Sequence, residues 1–266
     1  MSVFDLGRRR RTRAVRPSPI FLAFVALAAL GGWLAWRDNA PGHRVADFGV
    51  FIMVIALWVV SLCLHEFAHA YAAYRAGDRA VEAAGYLTLN PLKYAHPVLS
   101  ILIPLLFIVQ GGIGLPGGAV YLHRHSFRSK ASQSIAAAAG PLTNVVFAVL
   151  LLALVHTHQD GSHGRFWTGL AFVGFLQITA AVLNLLPIPG LDGWAIIEPY
   201  VDPVTADGAE KIKPWGMLGV IVLLQIRTVN IWFFDLVYRI FESSGVPSAM
   251  SESGHLYFEF WMRAPF

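Results

Sequence analysis

Residues 61–75 read SLCLHEFAHAYAAYR, and they close an otherwise apolar run that begins at Phe48. Two histidines and a glutamate stand where a lipid-embedded helix would hold apolar side chains only. On insertion scales an ionised group at the centre of such a helix costs about 2.5–3.5 kcal/mol. Whatever offsets that cost is the reason the residues are there.

The rest of the chain supports a membrane setting. Of its 266 residues, 56% are apolar and only 14% are charged, and the mean hydropathy is +0.57. A soluble domain usually carries about 25% charge. The composition therefore points to an all-α polytopic membrane protein. Five apolar segments are long enough to cross a bilayer or nearly so: 20–36, 48–74, 132–155, 166–188 and 214–240. The last contains Arg227, Asn230 and Asp235 and reads as a broken helix or a shallow hairpin. A sixth run, 97–115, carries Pro104 and a cluster of glycines and is expected to re-enter rather than cross. Crossing would put segment 132–155 on the wrong side for its motif to meet the histidines. Residues 85–93 are expected to form a short β-hairpin at the mouth of that re-entrant element, where an extended substrate could add a strand.

Six arginines fall within residues 8–16, directly before the first apolar segment. Read alone, such a cluster suits an acidic surface or a nucleic acid. Beside a hydrophobic segment it reads as a cytoplasmic anchor under the positive-inside rule, and no nucleic-acid partner is expected. Arg124, Arg128 and Lys130 place the 116–131 connector on the same side. A retained first span is favoured over a cleaved signal peptide, because another apolar run follows at once. The division is then a basic cytoplasmic N-terminus over 1–19, a membrane-embedded domain over 20–240 with its core at 48–200, and a C-terminal tail over 241–266. Cys63 is the only cysteine, so an internal disulfide is excluded.

His65, Glu66 and His69 spell H-E-F-A-H. In a helix, residues i and i+4 stack on one face, so both imidazoles can reach one zinc ion. Glu66 follows the first histidine and projects beside the metal, where it can take a proton from water. A catalytic zinc normally has three protein ligands, so a third must come from another segment. Asp192, in LNLLPIPGLDG at 183–193, is the acidic group nearest the end of segment 166–188. Pro187 and Pro189 stop the helix there, and irregular backbone at membrane depth implies a wet or protein-lined cavity. A third element is AAAAGPLTN at 136–144, where Gly140 and Asn144 share a helix face. An amide inside a span needs a partner. Asn144 could touch substrate or an oxyanion, or simply bridge two packed helices.

Taken together, HEFAH at 65–69, GPLTN at 140–144 and NLLPIPGLDG at 184–193 resemble the site-2 protease family of intramembrane zinc metalloproteases. They occur in the family's order. The segment GYLTLNPLKYAHP at 85–97 is similar to the small bacterial branch without PDZ or CBS modules. The resemblance implies one Zn2+ held by His65, His69 and Asp192, with Glu66 as catalytic base. It implies that Asn144, with Gly140 and Asn184, contacts substrate or the tetrahedral intermediate. It further implies membrane-anchored protein substrates, cleaved within or beside their transmembrane helices. The expected location is the bacterial inner membrane, with the active site near the cytoplasmic side. Two departures bear on substrate entry: His96 precedes Pro97 where the branch often has an acidic residue, and 114–126 reads GLPGGAVYLHRHS. His123 and His125 are read as solvent-facing. Two other functions compete, a catalytically silent scaffold that keeps the zinc and a metal transporter. Glu66 argues against the first, and the absence of a series of buried acids argues against the second.

Overall fold

The computed structural model describes residues 15–37, 44–94, 127–159 and 161–262. Among the described residues all regular structure is helical. Four helices are long and apolar enough to cross a membrane: α1 (Pro19–Arg37), α2 (Arg44–Ala76), α4 (Lys130–His158) and α5 (Gly164–Asn184). Short helix α3 (Ala80–Ala83) follows α2. Beyond α5 come α6 (Asp192–Ile197), α7 (Pro203–Ile212), α8 (Gly216–Gln225), α9 (Arg227–Glu242) and α10 (Ser248–Phe258). The expected re-entrant run 97–115, and His123 and His125 with it, lie outside the described residues.

The bundle is built around α5. In its most apolar stretch 89% of residues are buried, against 22% in α1, which lies at the edge. Helix α1 is held to α2 by close backbone contact. A Cβ at Gly31 would fall 2.5 Å from the Met53 amide nitrogen, and one at Gly49 would fall 2.7 Å from that of Ala35. Lipid gives helices little hydrophobic reason to associate, so small residues that admit tight van der Waals packing do that work. Part of the C-terminal segment forms α10, which packs on the core. Phe258 is fully buried against Phe51 and Phe172.

The last apolar segment is broken, as its polar residues suggest. The α7–α8 arm and α9 meet at 98°. Ile226 is extended at the break (φ −76°, ψ 114°), which strands the last carbonyls of α8. The Asn230 side chain recovers one of them by donating to the Leu224 carbonyl at 3.0 Å.

The expected β-hairpin at 85–93 is not formed. Tyr86–Thr88 and Pro91–Lys93 are single 3₁₀ turns. Leu89 between them is left-handed (φ 55°), a conformation no strand accepts. Pro91 has no N–H for a ladder, and Asn90 Oδ1 takes the Leu92 amide at 3.0 Å in a local cap. This loop is tied to the bundle at two points. The Tyr94 hydroxyl donates to the Cys63 carbonyl at 3.1 Å, and the Ser18 amide donates to the Thr88 carbonyl at 2.8 Å.

Candidate metal centre

The H-E-x-x-H residues sit on the buried face of α2, at 6% exposure for His65, 2% for Glu66 and 6% for His69. Asp192 reaches them from the first turn of α6. Helix α5 ends at Asn184, and the chain turns through Pro187, Pro189 and Gly190. Gly190 is left-handed (φ 100°), and a Cβ there would lie 2.5 Å from the Lys213 carbonyl oxygen. That crossing sets the direction from which Asp192 arrives. Gly193 lies against the Leu185 and Leu186 carbonyls, so the turn admits no side chain there either.

The three expected ligands converge. The Nε2 atoms of His65 and His69 are 3.0 Å apart, and Asp192 Oδ2 lies 3.2 Å from the first and 3.4 Å from the second. Donors held 2.0–2.1 Å from a tetrahedral zinc lie about 3.3 Å from one another, so the triangle has the right size. Its chemistry fits as well. His69 Nδ1 donates to the Ala136 carbonyl at 2.8 Å, which leaves a lone pair on Nε2. His65 Nδ1 lies 2.5 Å from the side-chain oxygen of Asn144, with the same consequence. Asp192 Oδ2 has no hydrogen-bond partner, and neither has the buried Oε2 of Glu66. Three acceptors thus converge with no donor among them, a costly arrangement that a cation resolves.

Space is reserved beside them. A Cβ at Gly140 would collide with His69 Nε2 and come within 2.6 Å of His65 Nε2. Gly140 on α4 therefore keeps the ligand atoms uncovered. Pro141 offers no N–H to the Ala137 carbonyl one turn back, and the neighbouring Ala136 carbonyl serves His69. Asp192 would serve as a ligand in its carboxylate form, since a metal takes its ligands deprotonated. Burial raises the Tyr94 phenol, so it stays a neutral donor to the Cys63 carbonyl.

The sequence resembles known proteins along almost its whole length. Residues 51–164 match peptidase family M50. The chain is 53% identical over 249 residues to "Putative zinc metalloprotease Rip2" of Mycolicibacterium smegmatis, covering 94% of this chain and 96% of that one. The Mycobacterium tuberculosis protein of the same name is 49% identical over 257 residues, 97% of this chain and 98% of its own. A more distant relative, "Putative zinc metalloprotease YwhC" of Bacillus subtilis, is 34% identical over 178 residues, 64% of this chain and 78% of that one. The chain belongs to peptidase family M50. No solved structure matches it significantly. With several apolar helices around the site, this M50 peptidase is an integral membrane protein.

Six of the seven residues singled out from sequence lie in or beside this centre, and no contact with it is seen for the seventh, Asn184. His65, Glu66, His69, Asp192 and Gly140 form it. Asn144 is the neighbour of His65, its oxygen toward the imidazole and its nitrogen 3.0 Å from Gln177 Oε1. Asn184 is buried in the last turn of α5, ahead of the Asp192 turn. Sequence reading passed over Gln177 and Ser61. An amide in the middle of the apolar run 166–188 was the available signal, the same rule that flagged Asn144.

Proposed function

We propose that this M50 peptidase hydrolyses peptide bonds within or next to the transmembrane segments of membrane-anchored proteins, using one zinc ion held by His65, His69 and Asp192. The observation that carries this reading is the convergence of two imidazole nitrogens and a carboxylate oxygen, each with a free lone pair, inside a lipid-embedded bundle. His65, His69 and Asp192 would hold the ion, which when bound would supply acidification of a water molecule and polarisation of a carbonyl. Glu66, buried with a vacant Oε2 beside His65, accepts the proton of the attacking water and delivers it to the leaving amine nitrogen. His65 and His69 stay neutral and oriented by their Nδ1 partners. An extended stretch of substrate is required, since a helical peptide bond hides its carbonyl.

The arginines at 8–16 support a cytoplasmic N-terminus. Helix α1 then leads outward and α2 returns, which sets His69 about 10 Å before the cytoplasmic end of α2. This supports an active site near the cytoplasmic face of the bacterial cell membrane. The division into a basic N-terminus over 1–19 and a catalytic core over 48–200 follows from the same reading.

The test is cleavage in liposomes. Protein reconstituted with zinc should cut at least one member of a panel of single-span substrates, and Glu66→Gln should retain zinc while losing the base's contribution, about 10²–10⁴-fold. Equal cleavage by Glu66→Gln overturns the assignment of the base. Zinc flux across the vesicles without cleavage would favour a transporter instead.

A further inference from the structure

Behind His65 runs a line of buried polar side chains that crosses three helices. Ser61 Oγ lies 2.8 Å from the Trp58 carbonyl, Gln177 Nε2 lies 2.9 Å from Ser61 Oγ, Asn144 Nδ2 lies 3.0 Å from Gln177 Oε1, and Asn144 Oδ1 lies 2.5 Å from His65 Nδ1. Ser61 and His65 belong to α2, Asn144 to α4 and Gln177 to α5. Exposure is 4%, 6%, 5% and 0% in that order, so water does not compete for these groups.

The line has a direction, and its far end sets it. A backbone carbonyl can only accept, so the Ser61 hydroxyl donates to Trp58. That leaves the Ser61 oxygen to accept from the Gln177 amide nitrogen. Gln177 must then turn its oxygen toward Asn144, whose nitrogen donates to it. Asn144 in turn presents oxygen to His65, and Nδ1 must carry the hydrogen. Nε2 is left with a bare lone pair, facing Asp192 and His69. If the line ran the other way, the Asn144 nitrogen would face Nδ1 and the hydrogen would move to Nε2. A protonated Nε2 cannot bind a metal.

We infer that Gln177, backed by Ser61, is a positioning residue for the metal ligand His65: it fixes the polarity of the Asn144 amide and through it the imidazole tautomer that binds zinc. The inference rests on His65 being a zinc ligand. Gln177 reaches His65 only through Asn144. Outer contacts of this kind typically change metal affinity about 10–100-fold, and at one further remove about 10-fold is expected.

The experiment uses the full-length protein in lipid nanodiscs. Zinc affinity is measured by chelator competition for wild type, Gln177→Met, Gln177→Glu and Ser61→Ala. The tautomer of neutral His65 is read from imidazole ¹⁵N shifts in metal-free protein. Wild type should show hydrogen on Nδ1. Gln177→Met, which removes the oxygen facing Asn144, should mix the tautomers and weaken zinc about 10-fold. Gln177→Glu keeps an acceptor toward Asn144 and should recover most of the affinity, a rescue that mere packing would not give. If Gln177→Met does not fold, Ser61→Ala supplies the comparison and should mix the tautomers to a smaller extent. Hydrogen on Nε2 of wild-type His65 overturns the inference. So does unchanged affinity in a folded Gln177→Met, or equal loss in Gln177→Met and Gln177→Glu. Failure of the underlying site is recognised separately: His65→Ala would then bind zinc as wild type does, while the tautomer reading still decides the polarity of the line.

Discussion

Helix α2 carries ionisable groups near both ends, and the two ends treat them differently. In its first turn Asp47 meets Arg165 of α5, with 2.6 Å between carboxylate oxygen and guanidinium nitrogen and both residues buried. Opposite charges pair within the protein. Toward the other end His65 and His69 meet Asp192, and what converges is three acceptors, with Glu66 next to His65 in the chain. The first arrangement is complete as a fold. The second is complete only with a cation, and that asymmetry marks the chemical end of the molecule. Burial alone does not distinguish them, since both sit in the same apolar bundle.

Several experiments sharpen or break this contrast. The largest effect belongs to the acceptor end. Asp192→Ala should abolish stoichiometric zinc, measured by elemental analysis, and with it all detectable cleavage. Gly140→Ala comes next, because its methyl would press on both imidazole Nε2 atoms. Zinc affinity should fall by more than the roughly 10–100-fold of a lost outer contact, and retention of full affinity would mean the ligand atoms can retreat. Asp47→Ala should leave metal content intact in the protein that folds, yet destabilise it by about 3–5 kcal/mol by removing one partner of a buried ion pair. The paired change Asp47→Leu with Arg165→Met should recover most of that loss in thermal unfolding, whereas no paired apolar change should rescue the metal site. The smallest effect is at Tyr94→Phe, which removes one hydrogen bond to the Cys63 carbonyl. About 1 kcal/mol is expected, read as faster hydrogen exchange in residues 86–94.

How much of this was legible beforehand follows from the range of the forces involved. The spans are set by local composition, so 20–36, 48–74, 132–155 and 166–188 each lie on a helix that extends past or stops just short of the expected limits. The spacing of His65 and His69 is a property of one helix, and it was readable in the same way. Asp192 was found only because the prolines before it end α5 at a recognisable place. The strand pair expected at 85–93 does not form, because Asn90-Pro91, with its side-chain cap and missing N–H, favours 3₁₀ turns. Gln177 and Ser61 escaped because their partners are far along the chain, on helices whose facing registers no single-sequence period reveals. The same holds for Asp47 and Arg165.

The central claim is a single zinc held by two imidazoles and a carboxylate. X-ray absorption at the zinc edge of the purified full-length protein tests it most directly. The account predicts one zinc per chain with two imidazole nitrogens and the remaining ligands oxygen, all at about 2.0–2.1 Å. Protein that purifies without stoichiometric zinc, a sulfur ligand from Cys63, or an unchanged spectrum in Asp192→Ala would contradict it.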